Sequence, residues 1–259
     1  MKFGLNMFSL REQTKTKEET IEVVKRLQAM GYDYFQFSGT TVDTDTRVAI
    51  VKELGAPIVL THTNFDTMMA DPEGVVADHR LYGCENIGLG MREFRGKTEE
   101  EVYAAITEIK EASEKIKAAG ANFFYHHHNF EFLKLSNGKT IFDELFEKCP
   151  EVNFTLDTHW LQAGGVSILE YIEKLKGRIC CVHLKDFYPG FVKNEEGKWK
   201  MAAPKFAPVG DGNINWQDVM AAFKKAGVQY YLVEQDDATT YEDPFAQVER
   251  SIKYLKENF

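Results

Sequence analysis

Eight short runs rich in Val, Ile, Phe and Tyr alternate with eight polar stretches of helical period, and few folds accommodate that pattern. The apolar runs fall at Lys2–Leu10, Tyr32–Ser38, Pro57–Thr63, Cys84–Gly90, Asn122–His128, Val152–Thr158, Ile179–Phe187 and Tyr230–Asp236. Helical periodicity runs over Lys17–Met30, Asp43–Leu54, Glu73–Tyr82, Thr98–Ala119, Ile141–Cys149, Ser167–Leu175, Trp216–Ala226 and Asp243–Glu257. It is clearest in Thr98–Ala119, where Val102, Ala105, Ile106, Ile109, Ala112 and Ile116 keep to one face. Gly31, Gly55, Gly83, Gly120, Gly177 and Gly227 each follow such a stretch, where a helix end favours a left-handed residue. Strand then helix, eight times over, implies a parallel sheet, and eight such units close a barrel. The expectation is one α/β domain spanning residues 1–259, a (β/α)8 TIM barrel. A doubly wound open sheet is the alternative. It would want a glycine-rich turn after the first strand, which Met7-Phe8-Ser9-Leu10 does not provide.

A chain of 259 residues with 44% hydrophobic and 27% charged residues can bury a core of that size. Its net charge of −9 argues against nucleic acid or an anionic membrane as partner, since phosphates select basic surfaces. No apolar run approaches the roughly 18 residues of a membrane span. The N-terminal residues lack the apolar core of a secretion signal. Cys84, Cys149 and the adjacent Cys180-Cys181 match no zinc or redox spacing, so buried thiols in a reducing cytoplasm are expected. Self-association is left open.

Two segments break the alternation. Asn129–Thr140 contains a Ser136-Asn137-Gly138 turn and reads as a small hairpin. Tyr188–Asn215 is a long excursion rich in Gly and Pro. Both follow strands, which puts them on the C-terminal face of a barrel, where chemistry is done.

That face collects the titratable residues. Six of the seven histidines lie at strand ends, in Thr61-His62, His126-His127-His128, Asp157-Thr158-His159 and His183-Leu184-Lys185-Asp186; only His79 lies elsewhere. Glu234-Gln235-Asp236 ends the last strand. Strand alternation puts His126 with His128, Asp157 with His159, His183 with Lys185, and Glu234 with Asp236. Imidazoles and carboxylates converging at one mouth are the donors of a borderline divalent cation. Taken singly, each residue reads better as a hydrogen-bonded histidine or a helix-capping aspartate; it is the whole set on one face that points to a metal.

The ordered motifs Tyr125–Phe132, Leu156–Trp160, Val182–Asp186, Gly210–Trp216 and Val233–Asp236 resemble the xylose isomerase-like barrel superfamily. Within it they are most similar to the bacterial sugar phosphate isomerases/epimerases, along essentially the whole chain. The resemblance implies one divalent metal ion (Mn, Co, Mg or Zn) held by Asp157, His183 and Glu234. It puts a glutamate, ligand and acid/base in the epimerases, where this chain has His126. That is a departure, which leaves Glu131 as a replacement leaning in from the loop, or as a solvated loop residue. The implied activity is isomerisation or epimerisation of a sugar or sugar phosphate through a metal-stabilised enediolate, with Glu234 as base. The alternative is a dehydratase of the inosose dehydratase kind, with His126 and His128 as acids for the leaving hydroxyl. His62, His159, Trp160 and Lys185 are the candidate contacts to a small polyhydroxylated substrate. In Gly210–Trp216 the glycines permit a tight turn and Asn215 caps a helix. The same barrel also serves nucleases, which the acidic charge disfavours. A non-catalytic sugar-binding protein would not need the converging donors.

Overall fold

The computed structural model describes residues 1–259. Its strands are β1 (Gly4–Asn6), β2 (Tyr34–Phe37), β3 (Ile58–His62), β4 (Asn86–Leu89), β5 (Asn122–His126), β6 (Val152–Asp157), β7 (Cys181–Leu184), β8 (Asp186–Lys193), β9 (Trp199–Ala207) and β10 (Tyr230–Val233). All but β8 and β9 close into a barrel of order β1-β10-β7-β6-β5-β4-β3-β2, every pair parallel. Closure removes the open sheet from consideration. The helices are α1 (Lys17–Met30), α2 (Thr44–Leu54), α3 (Phe65–Ala70), α4 (Pro72–Leu81), α5 (Glu99–Ala118), α6 (Ile141–Lys148), α7 (Thr158–Ala163), α8 (Ile168–Lys174), α9 (Trp216–Ala226) and α10 (Pro244–Asn258). None is long and apolar enough to cross a membrane.

Local chemistry sets the boundaries. Thr16, Thr98 and Thr140 open α1, α5 and α6 with capping boxes closed by Glu19, Glu101 and Asp143. Gly31, Gly55 and Gly227 end α1, α2 and α9 in the left-handed region, as the sequence implies. The apolar stripe of α5 is fully covered at Ile106, Ile109 and Ile116, each worth about 1.5–3 kcal/mol of burial. That stripe belongs to a core of 59 buried residues between barrel and helices.

Inside the barrel is a separate cluster of six: Tyr34, Val59, Leu60, Phe124, Cys181 and Leu232. Strand parity explains what lies above it. Side chains two residues apart share a face, so Tyr34, Leu60, Phe124, Cys181 and Leu232 have Gln36, His62, His126, His183 and Glu234 as their neighbours toward the C-terminal mouth. An apolar plug thus floors a polar layer.

Four expectations need correction. The first run is a strand only over Gly4–Asn6, because Asn6 Oδ1 accepts from the Phe8 amide at 3.2 Å and starts a 3-10 turn, Met7–Gln13. The expected hairpin in Asn129–Thr140 reduces to one antiparallel bridge, Lys134 to Thr140, after a 3-10 turn at Phe130–Phe132. The run Ile179–Phe187 is two strands that break at Lys185, and the excursion after it carries an antiparallel hairpin, β8–β9. Finally, β6 stops at Asp157, whose Oδ1 accepts from the Trp160 amide at 2.9 Å and caps α7, so His159 is helical and strand alternation does not place it.

Candidate metal centre

His126, Asp157, His183 and Glu234 lie at the C-terminal ends of β5, β6 and β7 and just past β10, are all buried, and bring one donor atom each to within 4.8 Å of one another. His126 Nε2 lies 3.5 Å from Asp157 Oδ2, and His183 Nδ1 lies 3.6 Å from the same oxygen and 3.0 Å from Glu234 Oε2. Each ring is turned by a partner behind it. His126 Nδ1 is 3.0 Å from the Gly90 carbonyl, an acceptor, so it carries the proton and Nε2 faces Asp157 as a lone pair. His183 Nε2 is 2.7 Å from Gln36 Oε1 by the same logic, which frees Nδ1 toward the carboxylates. His127 plays a structural part: its Nδ1 donates to the His128 carbonyl at 3.2 Å, and its Nε2 accepts the Asp157 amide at 3.1 Å. Burial, with His126 adding to it, drives that ring down to about 3, so it is neutral as the bond requires.

Lys185 adds the only ammonium. Its Nζ lies 2.7 Å from Asp236 Oδ1, 3.2 Å from Glu234 Oε2 and 3.8 Å from Asp157 Oδ2, and the residue is 1% exposed. Burial opposes its charge, but Glu234, Asp157 and Asp236 outweigh that and raise its pKa. Burial likewise opposes ionised Glu234, yet His183 and Lys185 hold it well below the usual carboxylate range. With His183 neutral, as a ligand must be, three carboxylates against one ammonium leave two negative charges in excess, which one divalent cation would balance. The donor set fits such an ion for a second reason: the buried His183 Nδ1 makes no well-aligned hydrogen bond and faces two carboxylate oxygens instead.

Above these groups opens a cavity of about 370 Å³, lined by Phe8, Ser38, Gly39, His62, Gly90, Met91, His126, His128, Lys185, Glu234 and Asp236. Glycine at position 90 is required by His62, since a Cβ there would lie 2.7 Å from His62 Nδ1.

The sequence model of the xylose isomerase-like TIM barrel family matches residues 24–258. The chain belongs to that family. No protein of curated function matches its sequence. Among solved structures, a sugar phosphate isomerase/epimerase from Parabacteroides distasonis is similar at 21% identity, with 99% of this chain and 94% of that one covered and a TM-score of 0.78. The probable 3-DHS dehydratase AsbF from Bacillus anthracis follows at 13%, 100% of both chains and 0.73. The IOLI protein, crystallised with a zinc atom, is similar at 14%, 99% and 97% coverage and 0.71.

In this xylose isomerase-like barrel the remaining candidates divide. His62, His128 and Lys185 line the cavity, although both nitrogens of His62 are engaged, by Gln36 Nε2 at 3.0 Å and Ser38 Oγ at 2.7 Å. Burial, then His126 and Lys185, push His128 down to about 2, and its ring stacks on Phe130 at 5.3 Å. Glu131 is not brought to the mouth. Tyr125 Oη donates to its Oε1 at 2.7 Å and the His128 amide to its Oε2 at 2.9 Å, which holds it in the wall, fully buried. His159 and Trp160 lie behind the lining: His159 is packed between Phe187 and Phe206, and the Trp160 ring centroid is 5.0 Å from Lys185 Nζ.

Sequence reasoning missed three residues here. Asn6 donates to Glu234 Oε1 at 2.6 Å, Gln36 orients His183, and Ser38 lines the cavity, as does Asp236, which strand alternation had paired with Glu234. Strand parity alone could have found Gln36, two positions beyond a barrel-plugging residue.

The motif Gly210–Trp216 is wound around one carboxylate. Asp186 accepts from the amides of Phe187, Gly210, Gly212 and Ile214 at 2.9, 2.9, 3.2 and 3.3 Å, and from Trp216 Nε1 at 2.7 Å. Asn215 caps α9, accepting from Asp218. The structural role suffices.

Proposed function

We propose that this barrel is a divalent-metal-dependent isomerase or epimerase of a small polyhydroxylated substrate, a sugar or sugar phosphate. The observation that carries the reading is the buried quartet His126, Asp157, His183 and Glu234 under an open polar cavity. When bound there, a divalent cation supplies Lewis-acid polarisation of a substrate carbonyl and its neighbouring hydroxyl.

The chain supplies the rest. Glu234 is the base: Asn6 fixes one of its oxygens and Lys185 keeps it ionised, so it is ready to take a proton from a carbon beside the carbonyl. The Lys185 ammonium faces the same space and offsets negative charge as it develops on substrate oxygen. Asp236 holds Lys185 in place at 2.7 Å. The apolar plug beneath keeps water from the floor of the site.

A second reading is favoured by His126. No carboxylate occupies that strand end, and Asp157 spends one oxygen on capping α7, which leaves Glu234 as the carboxylate base of the quartet. One base suffices for a dehydratase, which takes a proton from the α-carbon and can return it to the β-hydroxyl, so that the hydroxyl leaves as water and a double bond forms.

The test is incubation of zinc- or manganese-loaded protein with ketohexoses and inososes in D2O, followed by NMR. Deuterium at the α-carbon of substrate and epimeric product supports the isomerase. An unsaturated or deoxy-keto product without epimer replaces it by the dehydratase. A protein that purifies and titrates without any divalent ion refutes both.

A further inference from the structure

We infer that Gln36 is a positioning residue for the metal site, and that Ser38 ends the same relay as a hydrogen-bond donor to a substrate oxygen. The inference rests on the metal reading above and follows from counting protons along four buried side chains.

His183 Nδ1 faces Glu234 Oε2 at 3.0 Å and Asp157 Oδ2 at 3.6 Å. As a ligand that nitrogen has no proton, so the proton is on Nε2 and is donated to Gln36 Oε1 at 2.7 Å. With its oxygen so used, the Gln36 amide presents Nε2 to His62 Nε2 at 3.0 Å. A nitrogen that receives an N–H is unprotonated, so the His62 proton is on Nδ1, 2.7 Å from Ser38 Oγ. Ser38 Oγ is therefore the acceptor in that bond, and its hydroxyl proton remains to be given away. Ser38 makes no other hydrogen bond in the protein. Both Ser38 and His62 line the cavity. The direction of every bond is thus set by the metal ligand, and it ends in an O–H offered to the substrate space.

The residue types suit this. Gln36 is 0% exposed, and a primary amide is the neutral side chain that accepts on one side and donates on the other. Glutamate at that position would accept from both neighbours. His62 would then carry its proton on Nε2, its Nδ1 would accept from Ser38, and the donor facing the cavity would be lost. The ligand that completes the relay must offer an acceptor oxygen. A carbonyl, hydroxyl or ether oxygen of a polyhydroxylated compound does so.

The test uses the full chain labelled with 15N at histidine, with zinc as the probe metal and D-fructose as the probe ligand. In zinc-loaded wild type, NMR should show His183 as the Nε2–H tautomer and His62 as Nδ1–H. Gln36→Leu should weaken zinc binding about 10- to 100-fold. Gln36→Glu should keep zinc binding but turn His62 to Nε2–H. It should also weaken D-fructose about three- to tenfold, as should Ser38→Ala, while Ser38→Thr retains the affinity. An Nε2–H tautomer of His62 in the wild type, or zinc affinity unchanged in Gln36→Leu, overturns the relay. Equal D-fructose binding by Ser38→Ala and wild type overturns the role of Ser38. Failure of the wild type itself to bind zinc is a different result, and it overturns the metal reading.

Discussion

His183 Nδ1 and Glu234 Oε2 face each other across 3.0 Å, with both residues buried. A bare nitrogen lone pair and a carboxylate repel at that distance, so something positive has to lie between them. In the metal-free protein it is a proton: burial disfavours the imidazolium, but Glu234 and Asp157 overcome this and push His183 up to about 9. A divalent cation serves the same purpose with both carboxylates at once.

Glu234→Gln removes one of those carboxylates while keeping its shape. Zinc affinity should fall at least 100-fold and turnover should vanish, because ligand and base are lost together. The fold should persist, since the barrel core beneath is apolar and independent of the charge. Calorimetric zinc titration and circular dichroism check this, and turnover near the wild-type rate would remove Glu234 from the mechanism.

Asp186→Ala should destabilise the protein by about 3 kcal/mol or more. It leaves the Trp216 indole N–H and the amides of Gly210, Gly212 and Ile214 without their acceptor in a dry environment. Chemical denaturation reads the loss. Zinc affinity should change little, because the Asp186 carboxylate is spent on this loop rather than on the quartet.

The barrel was legible because strand period two and helix period 3.6 are written in different residues along this chain. The quartet was legible for the same reason, since parity puts residues such as His126, His183 and Glu234 inside. Parity fails where a strand ends. Asp157 caps α7, so His159 turns away into an aromatic pocket. Glu131 could not be placed because its position depends on Tyr125, a residue on the outer face of β5. The β8–β9 hairpin was hidden by Pro189, Gly190 and Pro204, whose turn chemistry masks alternation. Asn6 carries no charge, and what marks it is only its neighbours in space, whereas Gln36 stood at the right parity, two positions beyond Tyr34.

Glu131 makes stability depend on pH. Burial pushes its carboxyl from 4.5 to about 7, against the hydrogen bonds from Tyr125 and His128. The folded chain therefore holds that proton more tightly than the unfolded chain. Its contribution is fully present below about pH 4.5 and is lost as pH rises through 7, a change of up to about 3 kcal/mol. Glu131→Gln, which stays neutral, should be more stable than wild type at pH 8 and little different at pH 4.5. Urea midpoints across that range decide the matter, and parallel curves for the two proteins would contradict it.

His126→Glu bears on why this barrel departs from the glutamate that the motif resemblance implies. The histidine gives the quartet one neutral donor, fixed by the Gly90 carbonyl at 3.0 Å. A glutamate would add a further negative charge beside Asp157, Glu234 and Asp236, with Lys185 as the only buried ammonium. Like charges at such separations in a dry site cost more without the cation and gain more with it. The variant should thus be less stable than wild type when metal-free, by about 1–3 kcal/mol, yet show a larger rise in melting temperature on adding manganese. The oxygen donor also shifts preference toward harder cations, so zinc should lose ground to manganese. In the D2O experiment the added carboxylate should raise α-deuteration of an epimerase, since a second base then faces the substrate. Equal metal-free stability of variant and wild type would show that the quartet does not feel the added charge, and that the His126 position lies outside the coordination set.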